Sequence, residues 1–205
     1  MNGPPPQLAG VILAGGASTR MGGADKALAV FRGITLLDRA IALLSPQVAL
    51  LGLSVHAPEA HHAALGLPLV IDGGAPGEDR QGPMAGIRAA LAWAQRQDGI
   101  EWCVTAPVDC PLLPSHLAAL LLGTAQEAGA PAAFLRTPAG EEPLAAIWSA
   151  ALAGEAERFM KAGGRSARAF HRQIASAALD GDALWSANLN SPADIARQET
   201  ASSEG

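Results

Sequence analysis

The chain has no tyrosine, only four tryptophans and four phenylalanines, two cysteines and two lysines among its 205 residues. Each shortage removes a class of protein. The cysteines, Cys103 and Cys110, stand outside any C-x-x-C pair and are too few for a disulfide framework or a structural zinc site, which suits a reducing cytoplasm. No apolar run approaches the roughly 18 residues of a membrane span, and the opening MNGPPPQLAGVILAGG lacks the basic region of a secretory leader. A soluble, cytoplasmic protein with no membrane contact is expected. The 14 Lys and Arg against 19 Asp and Glu leave a net charge of −5 with no local basic cluster, so no nucleic-acid partner is expected either. What the chain does have is 49% hydrophobic residues, enough at this length for one sizeable core but short for two. A single domain over residues 1–205 is expected, with its core at about 8–198 and frayed ends.

The apolar runs are those of buried strands. LAGVILA (8–14) is short, continuous and closed by glycine, which suits a strand buried on both faces. VALLGLSV, LPLVID and EWCVTAPVD repeat that pattern, with the helical spacings of TLLDRAIALLS, GPMAGIRAALAWAQRQ and PSHLAALLLGTAQEAG between and after them. Alternation of this kind predicts an α/β fold on a mostly parallel sheet. PAAFLRTPAGEEPLAAIWS then reads as two strands about a Thr-Pro-Ala-Gly turn, which mixes the strand directions. In NLNSPADIARQ, Ser191 as N-cap, Pro192 at the first helical position and Asp194 in the first turn predict a helix.

Chemistry concentrates in LAGGASTRMGGADK. Gly15, Gly16, Gly22 and Gly23 supply backbone N–H groups that can approach an anion, while Arg20 and Lys26 supply charge. This is neither a Walker A loop, because Lys26 follows Asp25 and precedes Ala27, nor a dinucleotide fingerprint. The alternative is a plain surface loop. Twelve arginines against two lysines make Lys26 look selected as a compact point charge on phosphate oxygens.

Asp72 and Asp109 each follow an apolar run, so a parallel sheet puts both on the rim that carries the glycine loop. Asp109 lies in Pro-Val-Asp-Cys-Pro, which is expected to hold it on a stiff extended support beside a Mg2+ ion and bound phosphates. Asp72 alternatively reads as a turn former, and Gly82 in GPMAG as a cap. The segment DGGAPGEDRQGP (72–83) is expected to be mobile without ligand. The five histidines form no metal pair and are expected to be solvated, and neither Ser18 nor Cys110 has a recognisable partner base.

LAGGASTRMGGADK resembles the LAGG-x3-RMGG-x-DK signature of the molybdenum cofactor guanylyltransferases, the MobA family. GPMAG, PVDCP and NLNSPADI are similar to that family's later motifs, in the same order, over nearly the whole chain. The resemblance implies a three-layer Rossmann-like nucleotidyltransferase fold that joins GMP from GTP to molybdenum-molybdopterin and releases pyrophosphate. It assigns Leu13, Ala14, Gly15, Gly16, Lys26, Ser54, Asp72, Gly82 and Asp109 to the nucleotide, and Arg20, Lys26 and Asp109 to catalysis. Asp109 would bind Mg2+, and Arg165, Asn188 and Asn190, with Arg168 near them, would face the pterin. Ser54 stands where the family has asparagine, and Glu142 where it commonly has histidine. A monomer that hands its product to molybdoenzyme chaperones completes the expectation.

The attacking phosphate of the pterin, with a second pKa near 6, is already anionic, so no general base is required. Gly15, having no Cβ, would let the backbone lie close to a purine and favour GTP over CTP. Two other readings stay open: a cytidylyltransferase or sugar-phosphate nucleotidyltransferase of the same fold, and a nucleotide-binding adaptor without chemistry.

Overall fold

Gln7–Leu13 forms β1, with Ala9 and Val11 buried in one core cluster and Ile12 in the other. This two-sided burial is what its unbroken apolar run predicts, and it makes β1 a central strand. The computed structural model describes residues 7–15, 26–73 and 82–201. Gly16, Arg20, Gly22 and Gly23, most of the segment after Asp72 (74–81), and the ends at 1–6 and 202–205 lie outside the described residues.

After Lys26 the chain makes a ribbon of β2 (Val30–Phe31) and β3 (Ile34–Thr35), then α1 (Leu36–Leu44). Thr35 caps α1 by accepting the Asp38 N–H at 3.0 Å, and Leu36, Leu37, Ala40 and Leu44 make its buried stripe. β4 (Leu50–Val55), the single turn α2 (Ala60–Ala63), β5 (Leu69–Ile71) and α3 (Pro83–Ala94) follow. Next come β6 (Ile100–Pro107) and α4 (Leu117–Glu127), which ends at Gly129 with φ of +60°. β7 (Ala132–Thr137) and β8 (Gly140–Ser149) form the expected hairpin. The sequence reading did not extend to α5 (Ala153–Lys161), α6 (Ala167–Gln173) or β9 (Ala177–Asp180).

Among the described residues the main sheet has seven strands in the order β5-β4-β1-β6-β8-β7-β9, of which β8 alone is antiparallel to its neighbours. Residues of α1 and α4 build the core on one face, and those of α3, α5 and α6 the core on the other. The result is the expected three-layer, Rossmann-like α/β arrangement. β5, β4, β1 and β6 all finish at one rim, where open sheets of this kind bind ligands. The final helix, α7 (Pro192–Ala201), starts as predicted, with Ser191 Oγ accepting the Asp194 N–H at 3.2 Å. It runs into the tail expected to fray, and Glu199 accepts the Arg32 N–H at 2.8 Å, which ties the helix to the β2–β3 turn.

The hairpin is interrupted. Phe134 pairs with Ala146 but Leu135 pairs with Glu142, so residues 143–145 bulge out of the ladder. Their carbonyls are held from behind: Thr105 Oγ1 donates to Leu144 O at 2.8 Å, and His171 Nε2 bonds Pro143 O at 2.9 Å. Since a carbonyl only accepts, His171 carries its proton on Nε2, and Nδ1 accepts from the Ser176 hydroxyl at 2.9 Å.

This corrects the expectation of solvated histidines. His171 is buried and stacks on Trp148, ring centroids 4.3 Å apart; His62 is buried too, its Nδ1 accepting the Glu59 N–H at 3.0 Å. A neutral imidazole has two flat apolar faces and two hydrogen-bonding nitrogens, so it enters a core once both nitrogens are satisfied. Burial lowers the pKa of His171 to about 4, below the value near 6.5 of an unfolded chain. The unfolded state therefore binds the extra proton first. The contribution of His171 is present above pH 6.5 and is lost as pH falls toward 4, worth about 3 kcal/mol in all. Urea unfolding at several pH values should show this loss in the parent and a flatter profile in His171→Gln. Identical slopes would reject the assignment.

Candidate active site

β1 ends between its two neighbours: the Ala14 N–H donates to Ser54 O at 3.0 Å, and Leu13 O accepts the Val108 N–H at 3.1 Å. The strand end is thereby clamped, and Leu13, Ala14 and Gly15 are delivered to the rim. On the β6 side, Lys26 Nζ donates to the Asp109 carboxylate and, at 2.7 Å, to Asn190 Oδ1. The two side chains stay partly open, 17% exposed for Lys26 and 20% for Asp109. Asp109 is not on an extended support. It lies in a turn closed by the Cys110 N–H to Pro107 O at 3.3 Å. A proline restrains the residue before it, so Pro107 and Pro111 act on Ala106 and Cys110 and leave Val108 and Asp109 free to turn. The Asp109 carbonyl accepts the Leu189 N–H at 2.9 Å, which brings the NLN segment onto the site.

Asn188 sits one layer back. Its Nδ2 donates to both oxygens of Glu142 at 3.1 Å, and its Oδ1 accepts from the Cys110 thiol at 3.2 Å. Glu142, standing in place of the family's histidine, has therefore found a donor from the same closing motif.

The β4 and β5 ends form a second group. Asp72 is 8% exposed; Ser54 Oγ donates to its Oδ2 at 3.2 Å, and His56 Nδ1 lies 3.6 Å from its Oδ1. A Cβ at residue 15 would overlap this carboxylate. Any side chain at 15 would force the Asp72 carboxylate to shift, which adds to the purine argument a second cause that the sequence did not reveal.

Gly82, with φ of +73°, opens α3, and a Cβ there would stand 3.3 Å from Arg165 O. Arg165 uses its guanidinium on the carbonyls of Met160 and Gly164, at 2.8 and 2.9 Å. Arg168 pairs with Glu141, Nε to Oε2 at 3.4 Å. The structure thus joins Lys26, Asp109 and Asn190, with Asn188 behind them, and joins Ser54 and Asp72 to Gly15. Among the described residues it records no contact of Arg165 or Arg168 with either group. Sequence reasoning missed His56 and the thiol of Cys110 as parts of the site. For His56 the signal was legible, because it follows β4 just as Asp72 follows β5.

A family model described as a MobA-like NTP transferase domain matches residues 10–178. The chain belongs to the MobA-like NTP transferase family. The molybdenum cofactor guanylyltransferase of Cereibacter sphaeroides is 37% identical over 95% of this chain and 96% of its own length. That of Acidiphilium cryptum is 41% identical over 75% of this chain and 72% of its own. Among solved structures, the molybdopterin-guanine dinucleotide biosynthesis protein A of Archaeoglobus fulgidus superposes with a TM-score of 0.72 at 22% identity, covering 96% of this chain and all of that one. A CMP:2-keto-3-deoxy-manno-octonic acid synthetase complexed with CTP reaches 0.71 at 12% identity, covering 97% of this chain and 99% of that one. These two likenesses concern the fold, which is that of the nucleotidyltransferases.

In this MobA-like transferase both thiols are buried. Burial pushes Cys103 up to about 12, and burial, reinforced by Asp109 and Glu142, raises Cys110 well above an ordinary thiol, so Cys110 remains a donor to Asn188. Burial also raises the Glu142 carboxyl, with Asp109 adding to it and the Asn188 bond opposing. Among the described residues no three His, Cys, Asp or Glu side chains gather as a metal cage, and no helix is long and apolar enough to cross a membrane. What the Lys26 group offers is oxygen: one accessible carboxylate and one amide carbonyl beside an ammonium. That donor set suits a hard cation shared with phosphates and not a thiolate or imidazole metal.

Proposed function

We propose that this chain transfers GMP from GTP to molybdopterin carrying molybdenum, forming the guanine dinucleotide form of the cofactor and releasing pyrophosphate, with Mg2+ held at Asp109. The observation that carries the reading is the Lys26 ammonium set between the Asp109 carboxylate and Asn190 Oδ1 at the carboxyl ends of β1 and β6. The near full-length relative from Cereibacter sphaeroides, which bears the guanylyltransferase name, supports the choice of reaction.

In the reaction, an oxygen of the terminal phosphate of the pterin forms a bond to the α-phosphorus of GTP, and the bond from that phosphorus to the α,β-bridging oxygen breaks. The electron pair leaves with pyrophosphate. The attacking group is already anionic, so the work of the protein is to align two anions that repel each other and to neutralise charge. Lys26 would follow the phosphate oxygens, exchanging its contact with Asp109 for them. Asp109 is the residue that would hold Mg2+, which when bound supplies further neutralisation of the phosphates. Asn190 and Asn188 come from the closing segment docked on Asp109, and mark where the acceptor would lie.

Incubating the purified protein with each of the four nucleoside triphosphates, Mg2+ and molybdopterin with or without molybdenum, and identifying products by mass spectrometry, tests the reading. The expected product is the guanine dinucleotide, formed with stoichiometric pyrophosphate. A cytosine dinucleotide would replace this reading with cytidylyl transfer. Binding of GTP without product from any acceptor would leave a nucleotide-binding adaptor.

A further inference from the structure

We propose that β9, the outer strand of the sheet, is an edge that accepts an extended acidic segment of another protein, which adds one more strand and seats a carboxylate among Arg136, Arg168 and Arg172. This does not depend on the proposed guanylyl transfer.

The edge follows from the strand order. Among the described residues β9 ends the seven-stranded sheet and pairs with β7 alone, in parallel, Phe134 facing Ala178 and Arg136 facing Asp180. Successive residues of a strand turn their backbone groups to opposite sides, so one bond to β7 fixes the rest. The Gly181 N–H donates to Arg136 O at 2.8 Å. Leu179 and Ala177 therefore bond toward β7 as well, and the N–H and C=O of Ala178 and Asp180 point outward. Among the described residues these four groups meet no hydrogen-bond partner. Such a row is a template for another strand.

A cavity of about 220 Å3 opens beside this edge, between α6 and the β7–β9 pair. Ala178 of the edge lines it with Phe134 and His171, and so do Arg136, Arg168 and Arg172. Arg168 and Arg172 are one turn apart on α6, which puts them on one face of the helix. Two of the three guanidiniums are already steadied. Asp180 accepts from Arg136 Nε and Nη2 at 2.6 and 2.8 Å, and Glu141 Oε2 lies 3.4 Å from Arg168 Nε. The Arg172 guanidinium makes no ion pair or hydrogen bond among the described residues, so its N–H groups are open to an acceptor. His171 offers none, since Pro143 O and Ser176 Oγ take both its nitrogens.

Charge and size together choose the occupant. An open guanidinium beside two steadied ones calls for an oxyanion, and the cavity is smaller than the roughly 300–1,000 Å3 that a drug-sized ligand fills. A single side chain hung from a strand suits it. Alternate residues of an added strand point toward α6, so an acidic residue of the segment can reach Arg172 while its backbone pairs with Ala178 and Asp180. A second copy of this chain fits worse, because pairing edge to edge would bring the same guanidiniums to both sides of the junction. β5 is the opposite edge, so a segment docked on β9 leaves the end at Asp72 clear.

The test is fluorescence anisotropy of the full chain with a labelled peptide of alternating glutamate and threonine. Two controls accompany it: the same peptide with lysine for glutamate, and the glutamate peptide fully N-methylated, which keeps its charge but loses the N–H groups a strand needs. The glutamate peptide should bind, and both controls should bind about tenfold more weakly or worse. Arg172→Gln should cost about tenfold, the worth of one charge-assisted hydrogen bond. Ala178→Pro removes an outward N–H and spares the β7 ladder, where an edge strand tolerates proline, so it should also lose about tenfold while its thermal midpoint stays near that of the parent. Should that variant fail to fold, the N-methylated peptide tests strand addition by itself. No binding of the glutamate peptide, equal binding of the lysine peptide, or full affinity in Arg172→Gln would overturn the proposal. Undiminished binding of the N-methylated peptide would overturn it too, leaving an anion pocket without strand addition. A parent that sediments as a dimer, and that Ala178→Pro makes monomeric, would give the edge to a second copy instead.

Discussion

Asp109→Asn is expected to lower kcat for pyrophosphate release by about a hundredfold to a thousandfold, the usual cost of removing one electrostatic contributor at a reacting phosphate. The substitution keeps the volume of the side chain and leaves an oxygen that still accepts from Lys26. The backbone carbonyl that receives the Leu189 N–H is untouched, so the closing segment should stay docked. What disappears is the negative charge, and with it the anionic ligand proposed for Mg2+. The loss should therefore deepen as Mg2+ becomes limiting, while the thermal midpoint moves little. Rates for parent and variant across a Mg2+ titration measure this, and a variant that turns over like the parent at limiting metal would remove Asp109 from the metal site.

Trp148→Ala should cost about 3–5 kcal/mol of stability, the range for deleting a large aromatic from a packed core. Trp148 is fully buried on β8 and lies against Phe170 and His171, centroids 5.9 and 4.3 Å away. Its Nε1–H donates to Thr105 Oγ1 at 3.0 Å, and the same hydroxyl holds Leu144 O in the bulge. The indole thus supports the stretch of β8 that turns Glu142 toward Asn188. Trp148→Phe should lose less, about 1–2 kcal/mol, because the ring remains and the missing N–H leaves one contact of the Thr105 oxygen unmade. Urea unfolding of the three proteins checks the order. A Trp148→Ala variant within about 1 kcal/mol of the parent would show that this aromatic stack is not what holds the second core together.

Much of the architecture lay in short windows of the sequence. β1, β5 and β6 are apolar runs closed by glycine, aspartate and proline, and each of the helices foreseen shows its spacing within about a dozen residues. The hairpin turn at Thr137 to Gly140 and the N-cap at Ser191 are likewise local. Even α5 was readable in principle, since Ala153, Ala156 and Met160, its buried residues, recur at helical intervals. The site was partly legible for a related reason: in a parallel sheet, every residue just after a strand reaches the same rim, so Asp72 and Asp109 could be placed there without knowing the strand order.

The chain by itself therefore determined the layers, the rim and the residue types that reach it. Tertiary structure decided which of them meet. Lys26 touches Asn190 across 164 residues, and no window of sequence contains both. Glu142 reaches Asn188 because β8 bulges, and the bulge depends on Thr105, Trp148 and His171 on other elements. His171 is buried because aromatic faces and two polar partners happen to surround it, a property of its neighbours and not of imidazole. Gly15 is glycine in part because Asp72 occupies the space beside it. Periodicity and turn chemistry act over a few residues and so can be read from a line of letters, whereas contact, burial and charge pairing depend on distances that exist only once the strands have been ordered and the chain closed over them.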